Sequence, residues 1–241
     1  MRVYRSFSWK DTNLRVACAS FELVTRTVVE ARRQLERYIA RHPAFRTALA
    51  PLPLLDDPPE AARRMAAAAE LTGLGPMAAV AGTLAQLGAE AALASGCDEA
   101  IVENGGDIFL VATAPVTIAL HAGATLGNRL AFHIDPHQTP LALCSSSGTM
   151  GHSLSLGRCD LATVASRDAS LADAAATLVG NLVRRERDLT PALERVGAIP
   201  GIDGILAVVG GRIGLWGQLP PLVRNEDAAT GAKITRDLHA R

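Results

Sequence analysis

Between Ala100 and Ala165 the chain passes through a succession of short apolar segments rich in Val, Ile, Leu and Phe, with turn residues between them and no long helical period. Ala100–Glu103 and Ile108–Val111 flank Asn104-Gly105-Gly106-Asp107, and Val116–Leu120, Leu130–Ile134, Leu141–Cys144 and Leu161–Ala165 follow. Parallel neighbours need a crossover of a dozen or more residues, usually a helix, whereas antiparallel neighbours need only a turn. Strands that follow one another without helices therefore have to pair largely antiparallel. That excludes the regular βαβα order of a nucleotide-binding parallel sheet.

Helices are expected on either side of this region. Residues 2–10 and 13–24 read as strands around Asp11-Thr12-Asn13, a hairpin. From Thr25 onward Val28, Val29, Leu35, Tyr38 and Ile39 recur at helical spacing until His42-Pro43. Pro51, Pro53, Pro58 and Pro59 mark a loop or linker. Helices are predicted over 59–72 and from Met77 to Ser95, separated by Gly73-Leu74-Gly75-Pro76. The second is so rich in Ala and Gly that another backbone or a flat ligand can come close, and burial against a sheet accounts for most of its residues. A helix over Ser170–Arg185 places Leu171, Ala174, Ala175, Leu178 and Leu182 on one face, and a shorter one covers 191–197. Ile205–Val209 and Arg212–Leu215 make a last hairpin over Gly210-Gly211. The expected fold class is α+β, with mainly antiparallel sheets, helices packed on one side, and an element order that hints at two similar halves. One domain is expected over 1–223, followed by a polar, frayed tail over 224–241.

Composition narrows the chemistry. Hydrophobic residues make up 49% of the chain and aromatics only 4%, so the core has to be built from Ala, Leu, Val and Ile. Lys+Arg (24) balances Asp+Glu (24), which argues against a broad basic field for nucleic acid. The only lysines are Lys10 and Lys233, so the body of the fold has no candidate for Schiff-base chemistry and no P-loop. The cysteines, Cys18, Cys97, Cys144 and Cys159, form no Cys-x-x-Cys pair. Without an apolar leader at the N-terminus or an uninterrupted membrane-length span, the chain reads as cytoplasmic, with free thiols and no membrane partner.

Four segments concentrate residues suited to a site. Asn104-Gly105-Gly106-Asp107 is a strong hairpin turn in its own right, but the turn accounts less well for Gly106 and for the acids Glu103 and Asp107. Cys144-Ser145-Ser146-Ser147-Gly148-Thr149-Met150-Gly151-His152-Ser153 can present many hydrogen-bond donors to an anion, or can simply be a polar loop. Asp173 and Thr177 stand four apart on one helix face, where two hard oxygen donors can share Mg²⁺; an acid in an early turn also complements the helix dipole. Of the histidines, His152 is placed best for proton transfer, while Pro136 separates His133 from His137.

Taken together and in order, Gly75-Pro76-Met77-Ala78-Ala79-Val80-Ala81-Gly82, Asn104-Gly105-Gly106-Asp107, Ser146-Ser147-Gly148 and the Asp173…Thr177 helix resemble the motifs of the ApbE superfamily. These are Mg²⁺-dependent flavin transferases that cleave FAD and attach FMN to a protein threonine, or hydrolyse FAD. The match is closest to a soluble branch that shares Cys-x-Ser-Ser-Gly-Thr-x-Gly-His-Ser and Ala-Asp-Ala-Ala-Ala-Thr, and it covers 2–220. The resemblance implies two pseudo-repeated halves of the tunnelling type. It also implies Mg²⁺ held by Asp173, Thr177 and the backbone carbonyl of Ala78, and FAD or FMN lined by Asn104, Gly105, Gly106, Asp107, Ser146, Ser147, Gly148 and Thr149. His152 would be the catalytic base. The implied partners are a small nucleotide-like ligand and a protein acceptor, with a homo-oligomer as a further expectation. Two family features are missing: the motif's lysine, where Ala79 or a neighbour stands, and an acid after His152. A thiol-based role for Cys144 in sulfur metabolism and a non-catalytic ligand-binding or oligomeric protein are the competing readings.

Overall fold

The computed structural model describes residues 2–147 and 158–226. Strands β1 (Arg5–Trp9) and β2 (Thr12–Cys18) form the N-terminal hairpin, in register from Arg5↔Val16 to Trp9↔Thr12. Strand β2 stops short of its apolar run. Phe21, Val24 and Val28 already have helical spacing, and the chain spends them on α1 (Phe21–Arg41), where all three are buried. A short α2 (Ala44–Thr47) follows, and the proline-rich stretch carries neither helix nor strand before α3 (Glu60–Thr72). A 3-10 turn over Pro76–Ala79 then leads into α4 (Val80–Ala94).

The strand-rich region forms β3 (Ala100–Asn104), β4 (Asp107–Val111), β5 (Val116–Leu120), β6 (Leu130–Ile134), β7 (Leu141–Ser146) and β8 (Leu161–Ser166), with a short α5 (Gly123–Leu126) between β5 and β6. Helices α6 (Ala169–Leu182) and α7 (Leu189–Gly197) follow, then β9 (Ile202–Val209), β10 (Arg212–Gly217) and β11 (Leu222–Arg224). The main sheet has eight strands in the order β1-β2-β3-β4-β7-β8-β9-β10, and every pairing is antiparallel. It divides at the β4/β7 join into two groups of like topology. In each, two strands lead to a helical excursion, and two more strands return beside them: β1-β2, α1 to α4, β3-β4, and then β7-β8, α6-α7, β9-β10.

Strands β5 and β6 do not enter the main sheet. With β11 they form a second, three-stranded sheet in the order β11-β6-β5. The polar tail accordingly starts later than the sequence indicates: Val223 and Arg224 pair with Ala131 and Leu130, and the Asn225 N–H donates to the Arg129 carbonyl at 2.8 Å.

Both faces of the main sheet are covered. Val16, Val102, Phe109, Ala142, Val164 and Ile205 pack under the helices, while Ile101, Leu110, Leu143, Leu206 and Val208 pack with Phe132 and Ile134 of the small sheet. Burial on both faces is why these strands read as continuous apolar runs rather than alternating ones. Helix α6 is buried well beyond one face, from Ala169 to Gly180 with the exception of Asp173, because α3 packs on it opposite the sheet. The stretch Pro76–Ala94 is long and apolar enough to cross a membrane by length and composition, but here it packs against α1, α6, β3 and β4.

Candidate functional site

The start of α4 lies hard against α6, and Gly82 makes that approach possible. A Cβ at Gly82 would sit 2.3 Å from the Ala169 carbonyl oxygen and 2.9 Å from the Asp173 Cβ. With no side chain in between, the Gly82 N–H donates to Asp173 Oδ2 at 2.9 Å. The first N–H groups of a helix have no partner inside it, and α4 has no capping side chain at Ala79. Asp173 caps it from 91 residues away. An anion is favoured there by the helix dipole.

The sheet supplies the facing groups through its two-residue period. Asn104 and Asp107 stand on the same face as Val102 and Phe109, which point to the helices, and both are buried (6% exposed each). Asn104 Nδ2 donates to the Ala81 carbonyl at 3.1 Å, tying the end of β3 to the start of α4. Asp107 Oδ1 accepts the Ser145 N–H at 3.2 Å across the join between the two strand groups. Pairing of β4 with β7 stops at Ile108↔Leu143, so Ser145 lies beyond the ladder and Asp107 takes its amide. Cys144 and Ser146 share this helix-facing side by the same alternation, while Ser145 points the other way, its hydroxyl 2.9 Å from that of Thr163.

The hairpin turn closes between the paired Asn104 and Asp107. Gly105 and Gly106 are its central residues, both at positive φ (65° and 103°), and a Cβ on either would meet nothing within 4 Å. The pair is therefore explained by hairpin conformation, and it leaves open space beside the turn. Asn104 and Asp107 are what the turn does not explain. Glu103, grouped with Asp107 in the sequence, faces away from this cluster and lies 3.8 Å from Arg15.

Burial dominates the electrostatics. It pushes the Asp173 carboxyl up to about 7, against the pull of the Gly82 and Ala81 amides. Asp107 is raised well above the usual carboxylate range, first by burial and then by the nearby negative charge of Asp173. Two acids in one desolvated place disfavour each other's ionisation, and a cation between them would reverse that. Ser146 adds a buried hydroxyl oxygen with no hydrogen-bond partner among the described residues. Cys144 is fully buried, its Sγ 3.5 Å from the Ala169 carbonyl, and burial together with Asp107 and Asp173 raises its thiol well above the ordinary value. This is the opposite of what a thiolate nucleophile or sulfur carrier needs.

Of the remaining expected residues, Thr177 lies one turn beyond Asp173 on α6 and is buried, and Ala78 lies in the 3-10 turn that packs against α6. Ser147 is half-buried just past β7. Gly148, Thr149 and His152 lie outside the described residues. His133 and His137 belong to β6 and the turn after it, in the second sheet, and His121 Nδ1 is 2.6 Å from Asn128 Oδ1. Among the described residues no group of three His, Cys, Asp or Glu side chains forms a metal cluster. Asp173 and Asp107 with neutral oxygens nearby nonetheless make a hard-oxygen set, the kind Mg²⁺ takes when ligand and water complete its shell. The residues fit that ion.

A family model described as "AbpE bacteria" matches residues 5–200. The chain belongs to that family. Its relatives carry the name UPF0280 protein. One from Methanocella arvoryzae is 42% identical over 198 residues, covering 82% of this chain and 81% of its own. Another from Methanospirillum hungatei is 40% identical over 232 residues, covering 94% and 93%. The fold of this ApbE-like family matches that of solved flavin transferases. The flavinyl transferase ApbE of Pseudomonas stutzeri superimposes with a TM-score of 0.61 at 14% identity, covering 97% of each chain. The flavin transferase ApbE of Vibrio cholerae gives 0.57 at 14%, covering 90% of this chain and 96% of its own. The α+β class with antiparallel sheets is therefore the ApbE fold.

Proposed function

We propose that this protein binds a flavin nucleotide, FAD or FMN, together with Mg²⁺, and acts as an ApbE-like enzyme on the FAD pyrophosphate. The observation that carries this reading is the buried pair Asp107 and Asp173 where the two strand groups meet, with the buried Ser146 hydroxyl, which has no partner among the described residues, on the same helix-facing side of the sheet. The likeness to flavin transferases supports the choice of ligand.

Each of the chain's own groups has a role in this scheme. Asp173 gives up its proton and holds its charge at the start of α4, where the Gly82 and Ala81 amides steady it. Thr177 and the Ala78 carbonyl add neutral oxygens, and Asp107 adds a second carboxylate. These groups would hold Mg²⁺, which when bound would offset the pyrophosphate charge. Ser146 and Ser147, with Gly148 and Thr149, donate to the nucleotide, while Gly105 and Gly106 leave room for it beside Asn104. By the resemblance, His152, which lies outside the described residues, would be the group that moves the proton. Because Ala79 or a neighbour stands where the transferase motif has lysine and no acid follows His152, FAD binding and pyrophosphate cleavage rank ahead of FMN transfer to a protein acceptor.

Calorimetric titration of FAD with and without Mg²⁺ tests the reading. Wild-type protein should bind FAD more tightly with Mg²⁺, and Asp173→Ala should lose that gain. Unchanged affinity in the variant would remove Mg²⁺ from the scheme. Mass analysis after mixing protein, FAD and Mg²⁺ then separates binding, cleavage and covalent FMN transfer.

A further inference from the structure

Two half-buried thiols meet at the opposite end of α4 from the candidate site. Cys18 closes β2 and Cys97 follows α4, and their Sγ atoms are 3.6 Å apart, which is van der Waals contact. Helix α4 has 15 residues, so at 1.5 Å per residue this pair lies roughly 20 Å along the helix from Gly82 and Asp173. The neighbourhood is built of hydroxyls and amides. The Ser20 N–H donates to Cys18 Sγ at 3.3 Å, and Cys97 Sγ lies 3.2 Å from the Ser20 hydroxyl and 4.0 Å from that of Ser95. The register of β2 on β3 fixes Cys18 opposite Ala100, three positions past Cys97, so the sheet holds one thiol in place. The other follows Gly96, which sits at φ 95° with nothing around its missing side chain. That turn has room to yield the 1.5 Å or so by which the sulfurs must close to reach a bond length of about 2.05 Å.

We propose that Cys18 and Cys97 form a reversible disulfide by exchange with a small-molecule disulfide, Cys97 attacking and Cys18 resolving. The Cys97 thiolate attacks one sulfur of the small disulfide, forms a mixed disulfide and expels a small thiolate. The Cys18 thiolate then attacks the Cys97 sulfur and expels the second small thiolate. The protein loses two thiol protons and two electrons, and the small disulfide is reduced to two thiols that take up those protons. Cys97 suits the first step because it lies at an exposed turn and the Ser20 hydroxyl, turning to donate, lowers its pKa; burial raises that of Cys18. The other cysteines do not compete. Cys144 and Cys159 are fully buried, and burial pushes the Cys159 thiol up to about 11. The bond would join the end of β2 to the start of β3, the two ends of the excursion that carries Ala78, Ala81 and Gly82.

The test uses the full reduced chain with oxidised glutathione as probe. The intact mass should fall by two hydrogens, a peptide linking Cys18 to Cys97 should appear on digestion, dithiothreitol should reverse both, and the oxidised form should melt at a higher temperature. Cys18→Ser should stop at a glutathione adduct on Cys97, since the resolving thiol is gone. Stable glutathione adducts on the wild type with no internal bond, disulfide-linked dimers, or an unchanged mass would each overturn the proposal. The wild-type readout stands even if a variant fails to fold, and it does not depend on whether flavin binds.

Discussion

Ser146 is the residue whose state in the described structure is hardest to justify by folding alone. A buried hydroxyl without a partner costs about 1–3 kcal/mol, and a fold under no other demand would place Ala there. Ser146→Ala should therefore raise the ligand-free stability by up to about 1–3 kcal/mol in urea unfolding, while weakening FAD binding in the same titration that tests Asp173. Part of the candidate site is legible in residue types: Asp107 is an acid that the hairpin turn leaves unexplained and Asp173 an acid among alanines, whereas Asn104 reads as a turn residue. Their grouping was only partly legible. Glu103 precedes Asn104 by one residue, so the two-residue period of a strand sends it to the other face. The coupling of Asp107 to Asp173 joins residues from different elements, and no local spacing records it.

For elements, the crossing of α4 on α6 decides whether the site exists. An added methyl at Gly82 would press into the Ala169 backbone carbonyl, and helix backbones cannot step aside as a flexible side chain can. Overpacking of this kind costs about 1–3 kcal/mol. Gly82→Ala should lower stability by at least that amount in urea unfolding and weaken Mg²⁺-dependent FAD binding as well, because it lifts the α4 amides from Asp173. The close approach expected of the Ala- and Gly-rich helix is found at Gly82, and periodicity in the sequence locates most helices and strands. It misplaces the start of α1, where the end of an apolar strand run and the beginning of a helical one overlap at Phe21 and Val24. It also passes over β11 and gives no sign that β5 and β6 leave the main sheet. A strand's own pattern shows which faces are buried, and here both faces of the sheet are.

Considered as a whole, the protein buries two acids that resist ionising together, which makes its stability depend on pH. Unfolded Asp titrates near 3.9, whereas Asp173 in the fold titrates at about 7 and Asp107 is raised as well. Below about 4 both carboxyls are protonated in either state, and the pair contributes no difference. Between about 4 and about 7 the unfolded chain releases its protons first, so stability falls as pH rises, and above about 7 Asp173 adds no further slope. The wild type should thus lose melting temperature between pH 5 and pH 8 by more than an Asp107→Asn, Asp173→Asn double variant. Added Mg²⁺ should restore more of it at pH 8 than at pH 5, since the ion needs the carboxylates unprotonated.

The ladder between β4 and β7 consists of Ile108↔Leu143, Phe109↔Ala142 and Leu110↔Leu141, shorter than the pairings of β1 with β2 or β8 with β9 on either flank. Asn104 and Asp107 belong to one bank of that join, Ser146 and Asp173 to the other. A guest lodged among them would act as a rivet across the narrowest stitching in the sheet, so that binding there and fastening the two banks become a single event.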